Sequence, residues 1–193
     1  MIDNKKILIT GGAGFIGGCL VRTLIRETNS LIFNLDYMGY ASDLSWLAEF
    51  KDIEWRHTHL LVDLNNEQDT FLALEKADPD IIFHLAAESH VDRSIDNPES
   101  FVRSNIIGTF NLLQASLKHW NKLNKKRKSE FRLLHVSTDE VFGTLDYNES
   151  FTEESNYFPR SPYSATKASS DHLVNAWHHT FGLPVVITNC SNN

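Results

Sequence analysis

Five short apolar runs punctuate the chain, at Lys5–Thr10, Leu31–Leu35, Ile81–Leu85, Phe131–Val136 and Pro184–Thr188, with a weaker one near Glu54–His59. Their length and their bounding polar residues predict buried β-strands. Between them lie stretches with apolar residues three and four apart, such as Phe15, Ile16, Cys19, Leu20 and Leu24. That spacing predicts helices laying one apolar face on a sheet. Strand and helix alternating throughout call for right-handed crossovers and a parallel sheet covered on both sides, the doubly wound α/β class. Ligand sites in that class gather outside the carboxyl ends of the strands.

Two later helices have legible starts, because Asn97-Pro98 and Ser161-Pro162 each put a capping side chain before a proline at the first helical position. The first predicts a helix carrying Phe101, Val102, Ile106, Phe110, Leu113 and Leu117, with Leu112 and Trp120 widening its apolar surface. A surface that wide suits a subunit contact as well as a core, and a homodimer through the helices beginning near Pro98 and Pro162 is expected. Neither repeats nor low-complexity linkers interrupt the pattern, so residues 1–193 read as one domain. The chain stops a few residues after its last strand, so the fold is expected to be incomplete at its C-terminal end.

Composition narrows the function. The formal net charge is −7, and the one basic run, Lys122–Lys128, lacks interleaved aromatics and reads as an exposed loop, so no nucleic-acid partner is expected. Cys19 and Cys190 are far apart and have no metal-ligand spacing, which predicts neither disulfide nor zinc and suits a reducing cytoplasm. No apolar stretch reaches membrane-spanning length, and the N-terminus lacks a signal-peptide core.

The sharpest motif is Thr10-Gly11-Gly12-Ala13-Gly14-Phe15-Ile16-Gly17, which follows a strand and opens a helix. Its glycines permit a tight turn, close approach to a pyrophosphate and close helix packing, and the helix N-terminus faces the phosphates. Asp36 closes the second strand 19 residues after Gly17, where a carboxylate takes the ribose hydroxyls and repels a 2′-phosphate. Tyr37 and Met38 follow rather than an arginine, so NAD is expected over NADP. Asp63-Leu64, after the third strand, is placed to receive the adenine, although an aspartate there equally suits a turn.

Tyr163 and Lys167 lie four apart near the start of the last helix and so share a face, with the ammonium expected to favour the phenolate. The spacing alone fits a surface pair. It gains meaning beside Ser137-Thr138-Asp139-Glu140, which directly follows the fifth predicted strand and brings a hydroxyl and two carboxyls to the same edge.

Through TGGAGFIG, HLAAESHVDRSI (84–95), NIIGT (105–109), STDEVFG (137–143), PYSATKASSDHLV (162–174) and TNCSNN (188–193) the sequence resembles the extended short-chain dehydrogenase/reductases. Within them the adjacent acids after Thr138 are most similar to the pattern of the sugar-nucleotide 4,6-dehydratases, and Tyr37-Met38 departs from the usual Lys-Leu. The resemblance implies a Rossmann-like fold and tightly bound NAD held by Gly11, Gly14, Phe15, Ile16, Gly17, Asp36, Asp63, Leu64, Ala86, Ala87, Ser104, Tyr163 and Lys167. It implies dTDP-glucose as substrate, touched by Ser89, Thr138, Asp139, Glu140 and Asn193. Tyr163, with Lys167 and Thr138, would deprotonate the sugar 4-hydroxyl, Glu140 would take the C5 proton, and Asp139 would protonate the departing 6-hydroxyl. His90, beside Ser89, equally suits a buried structural role. The resemblance further implies a separate C-terminal nucleotide-sugar domain, which this chain does not reach. A nucleotide-sugar 4-epimerase and a non-catalytic NAD-binding or dimerising module are the alternatives.

Overall fold

The computed structural model describes residues 2–145 and 150–191. Six strands, β1 (Lys6–Thr10), β2 (Leu31–Asp36), β3 (His57–Leu61), β4 (Ile81–His84), β5 (Arg132–Thr138) and β6 (Val185–Cys190), form one sheet in the order β3-β2-β1-β4-β5-β6. Every pairing is parallel. This is the doubly wound, Rossmann-like arrangement that the alternating pattern predicts.

The apolar runs of the central strands are continuous because those strands are buried on both faces. Along β1, Ile7 and Ile9 pack with Val21, Leu24, Ile25, Ile32 and Trp46 on one side, while Leu8 packs with Leu35, Leu74, Ile82 and Leu133 on the other. Helix α1 (Phe15–Glu27) covers the first side, and α2 (Glu67–Ala77), α5 (Gly108–Lys122) and α7 (Pro162–Phe181) contribute to the second.

Several details differ from the sequence expectation. In α1 the face laid on the sheet is Gly17, Gly18, Val21, Leu24 and Ile25, whereas Phe15, Ile16 and Cys19 stay exposed. The glycines carry no side chain, so the backbone itself approaches the strands and rotates the larger residues outward. The weak strand begins at His57 rather than Glu54. The helix expected from Pro98 is broken into α4 (Pro98–Phe101), a wide π-turn over Val102–Ile107, and α5, with a short α3 (Val91–Asp96) before it. Asn97 makes no side-chain cap, whereas Ser161 and Ser164 form a reciprocal capping box at the start of α7. The basic run is not a loop, since Lys125–Glu130 forms α6, capped by Asn124. Arg127 within it is half-buried, bonding Asp78 at 2.9 and 3.0 Å and Asp80 at 2.7 Å.

Candidate active site

At the carboxyl ends of β1, β2, β4 and β5 the chain opens a cleft of about 720 Å3. It lies where strand order reverses between β1 and β4, the position at which doubly wound sheets bind ligands. Gly11, at φ +73°, turns the chain out of β1 in a conformation that favours glycine. A methyl at Gly11 would meet the Ala86 backbone N at 2.7 Å, and one at Gly17 would meet the Gly11 carbonyl at 2.1 Å. The turn is therefore packed backbone on backbone, leaving the N-terminus of α1 open toward the cleft, the arrangement that receives a pyrophosphate.

Asp36 ends β2 on the cleft wall, where one of its oxygens accepts from the Ala13 N–H at 3.1 Å and the other from the Met38 N–H and Ser42 Oγ, both at 2.8 Å. These bonds fix the carboxylate and leave lone-pair capacity for a ribose hydroxyl. Next to it the Tyr37 hydroxyl donates to Glu88 at 3.2 Å, and burial, followed by the Glu88 charge, pushes the phenol up to about 12. Asp63, Leu64, Ala86, Ala87 and Ser104 all line the same cleft. With a backbone cradle at one end and a fixed carboxylate beyond it, these residues fit a dinucleotide.

The reactive groups gather at the other end. β5 runs two residues further than the apolar pattern suggests, so Ser137 and Thr138 belong to the strand itself. Thr138 then caps the tight turn Asp139–Phe142, accepting from the Glu140 N–H at 3.2 Å. This places Thr138 and Glu140 on the cleft with Tyr163 and Lys167. Asp139 is adjacent and half-buried but is not among the lining residues, and the Thr138 hydroxyl reaches its carboxylate at 3.4 Å. Ser89 sits on the exposed rim, and His90 is exposed beside the Tyr40 ring rather than buried. Asn193 lies outside the described residues.

Burial governs the ionisation of these groups. It raises Glu140 above the ordinary carboxyl range, with the Asp139 charge adding to the effect. It lowers Lys167 to about 8, against the opposing pull of Asp171. It also raises Tyr163, with Thr138 working the other way and the Glu140, Asp139 and Asp171 charges adding to the rise. The expectation that Lys167 favours the phenolate is thus outweighed in the free cleft, where the ammonium donates its hydrogen bond to the Val136 carbonyl at 2.8 Å.

Beneath the cleft runs a buried polar layer that the sequence reading did not assign. His84 bridges Thr10 at 2.7 Å and Thr109 at 2.9 Å, and burial, with His135 and Lys167 nearby, holds it well below the usual histidine value and so neutral. Asn105, in the π-turn, accepts from the Glu88 N–H and donates to the Glu88 carbonyl and Thr166, fastening the loop after β4 to α7. Asp171 accepts from Ser137 at 2.7 Å and Tyr157 at 3.1 Å. Asn105 and Asp171 both fall inside the quoted motifs, but nothing in their spacing distinguishes them from surface residues.

A glycine turn at the switch point, a fixed acid closing β2 and a Tyr-x-x-x-Lys helix beside β5 define a Rossmann-like protein of the short-chain dehydrogenase/reductase class. More narrowly, the chain belongs to the GDP-mannose 4,6 dehydratase family, whose profile matches residues 8–193. It is 46% identical to a dTDP-glucose 4,6-dehydratase of Salmonella typhimurium, over 97% of this chain and 54% of that protein. It is 49% identical to one of Haemophilus influenzae, over 97% of this chain and 56% of that protein. The crystal structure of DesIV, a dTDP-glucose 4,6-dehydratase from Streptomyces venezuelae with NAD and TYD bound, superposes with a TM-score of 0.83 at 39% identity, covering 95% of this chain and 55% of that one. The chain thus spans about half the length of the relatives it matches.

Proposed function

We propose that the cleft binds NAD and carries the acid–base groups for dehydrating a nucleotide-activated hexose, with dTDP-glucose going to its 4-keto-6-deoxy product. The observation that carries this reading is the presence of Thr138, Glu140, Tyr163 and Lys167 on the same cleft as the glycine turn and Asp36. The relatives' names and the NAD in the DesIV crystal structure support it.

Gly11, Gly14, Gly17 and Asp36 would hold the cofactor's pyrophosphate and ribose, with Asp63 and Leu64 toward the adenine and Ser104 along the wall. The chemistry required of bound NAD is reversible hydride transfer, in which C4 of the sugar gives up a hydride and C6 regains one. Tyr163 removes the proton of the 4-hydroxyl, its oxygen steadied by Thr138. The resulting ketone acidifies C5, whose proton passes to Glu140 and is returned to C5 when C6 takes up the hydride. Asp139 gives a proton to the departing 6-hydroxyl, so that water leaves neutral. Loss of water requires a base and an acid together, and two adjacent carboxyls, one lining the cleft and one beside it, are suited to divide those roles. Ser89 at the rim, and Asn193, would contact the sugar.

Mass spectrometry of the chain incubated with NAD and dTDP-glucose tests this, and the expected result is loss of one water from the sugar nucleotide. Epimerised sugar with its mass unchanged would replace the reading with a 4-epimerase. NAD binding with no change in the sugar would reduce it to a cofactor-binding module. We further propose a homodimer through α7 and the segment running from α4 through the π-turn to α5, in whose π-turn Val102 and Ile107 are more than 40% exposed. Sedimentation should then show a mass of twice 22.0 kDa, and monomer at all concentrations would overturn the proposal. Among the described residues no helix is long and apolar enough to cross a membrane, and none of their His, Cys, Asp and Glu side chains group as a metal site.

A further inference from the structure

The chain leaves β2 through a strained turn. Met38 sits at φ +60°, a region that residues with a side chain seldom occupy, and its N–H is held by Asp36 at 2.8 Å. The turn folds the Tyr37 ring back onto Gly39, where an added methyl would stand 2.4 Å from the phenol oxygen and 2.6 Å from Cζ. So placed, the Tyr37 hydroxyl donates at 3.2 Å to Glu88, in the loop after β4. Three residues further on, the Tyr40 ring stacks with Arg93 of α3, whose guanidinium carbon is 3.7 Å from the ring centre. Both contacts join the loop after β2 to the segment after β4, and those two strands are the neighbours of β1. They therefore run from one flank of the glycine turn to the other, and Tyr37, Tyr40 and Glu88 all line the cleft. The two ends are fastened differently. Glu88 is anchored through its backbone, which exchanges hydrogen bonds of 2.8 and 2.9 Å with the Asn105 side chain in the π-turn. The opposite loop is largely exposed, held by the Asp43 N–H on the Ala13 carbonyl and by Ser42 Oγ on Asp36, each at 2.8 Å.

We propose that the Tyr37–Glu88 hydrogen bond and the Arg93–Tyr40 stack form a clasp across the mouth of the cleft, which must open for the dinucleotide to enter or leave. The inference rests on reading the cleft as the NAD site and does not depend on the dehydration chemistry. The contacts join protein to protein, so they act on the free and the loaded cleft alike. An element that a ligand does not favour in either state changes the rates of binding without changing its equilibrium. The clasp thus slows entry and exit together and leaves the affinity nearly unchanged. Slow exit suits a cofactor that takes a hydride from the sugar and gives it back, because the reduced form has to stay between the two steps.

Stopped-flow fluorescence of NADH reads both rates without turnover, entry on mixing with the chain and release on displacement by excess NAD. Tyr37→Phe keeps the ring against Gly39 and removes only the donor. It should speed entry and release together, each about fivefold, with the dissociation constant within about twofold of native, as expected for loss of one hydrogen bond from the closed state alone. Gly39→Ala reaches the same contact from the other side. Its backbone is not at positive φ, so the methyl acts by pushing the phenol tip away from Glu88, and it should reproduce the Tyr37→Phe rates. The double variant should be no faster than either single one, because both remove the same bond. Unaltered rates in Tyr37→Phe would overturn the clasp. So would faster release with unaltered entry, which is the mark of a contact made to the cofactor itself. A native chain giving no NADH binding signal would overturn the cofactor reading, and the clasp with it.

Discussion

Gly17→Ala will weaken dinucleotide binding about a hundredfold while leaving the sheet folded. The added methyl would sit 2.1 Å from the Gly11 carbonyl oxygen and 2.8 Å from both the Gly11 carbonyl carbon and the Gly12 Cα. All three are backbone atoms, so no side chain can swing aside and the turn itself must shift. Forced overpacking of this kind costs about 1–3 kcal/mol in stability. The shift also moves the N–H groups that would face the pyrophosphate, and a loss of about 3 kcal/mol in binding corresponds to about a hundredfold. Titration calorimetry with NAD, alongside thermal unfolding, checks both effects. Gly18→Ala provides the contrast, because its methyl would meet the Trp46 indole N at 3.2 Å and no backbone atom closer than 3.6 Å. It should bind NAD within a few-fold of the native chain. Native-like affinity in Gly17→Ala would mean that the turn is not where the cofactor lies.

The contrast between Gly17 and Gly18 also marks how far the sequence could be read. The glycine motif, Asp36 and the Tyr163–Lys167 spacing were legible because each is a local pattern whose chemistry depends on neighbours in the chain. The strands were legible because a two-faced parallel sheet writes continuous apolar runs. What could not be read is where tertiary packing decides. Phe15 and Ile16 look like core residues by their spacing, yet the glycines beside them take the sheet-facing side and leave them exposed at the cleft. Arg127 looks like one more charge in a solvated run, yet Asp78 and Asp80, separated from it by nearly 50 residues, draw it into a bonded site. Asn105, His84 and Asp171 acquire their partners only when β4, β5, the π-turn and α7 meet. A polar residue within an apolar pattern gives no sign of whether it will be satisfied, and the buried layer under the cleft consists of such residues.

The pH dependence of turnover separates the two chemical roles assigned to the cleft. As the proposed base, Glu140 would work only in its ionised form, and burial with the Asp139 charge raises its proton affinity. Dehydration should therefore rise with pH along a limb lying above the ordinary glutamate value of about 4.3. In the proposed mechanism Lys167 would act through its charge, and its protonated form is lost as pH rises through about 8, so the rate should fall again on the alkaline side. Glu140→Gln will abolish the acid limb together with exchange of the C5 proton for deuterium from solvent. Tyr163→Phe will lower the overall rate by about 10²–10⁴-fold, the usual contribution of a positioned proton-transfer group. It leaves the Glu140 environment, and with it the acid limb of the residual rate, largely in place. These outcomes are read by following water loss and deuterium uptake by mass spectrometry across the pH range. C5 exchange surviving in Glu140→Gln would assign the base elsewhere. An acid limb that moves with Tyr163→Phe, rather than with Glu140→Gln, would reverse the two assignments, because the limb must belong to the group whose proton has to leave before the rate can rise.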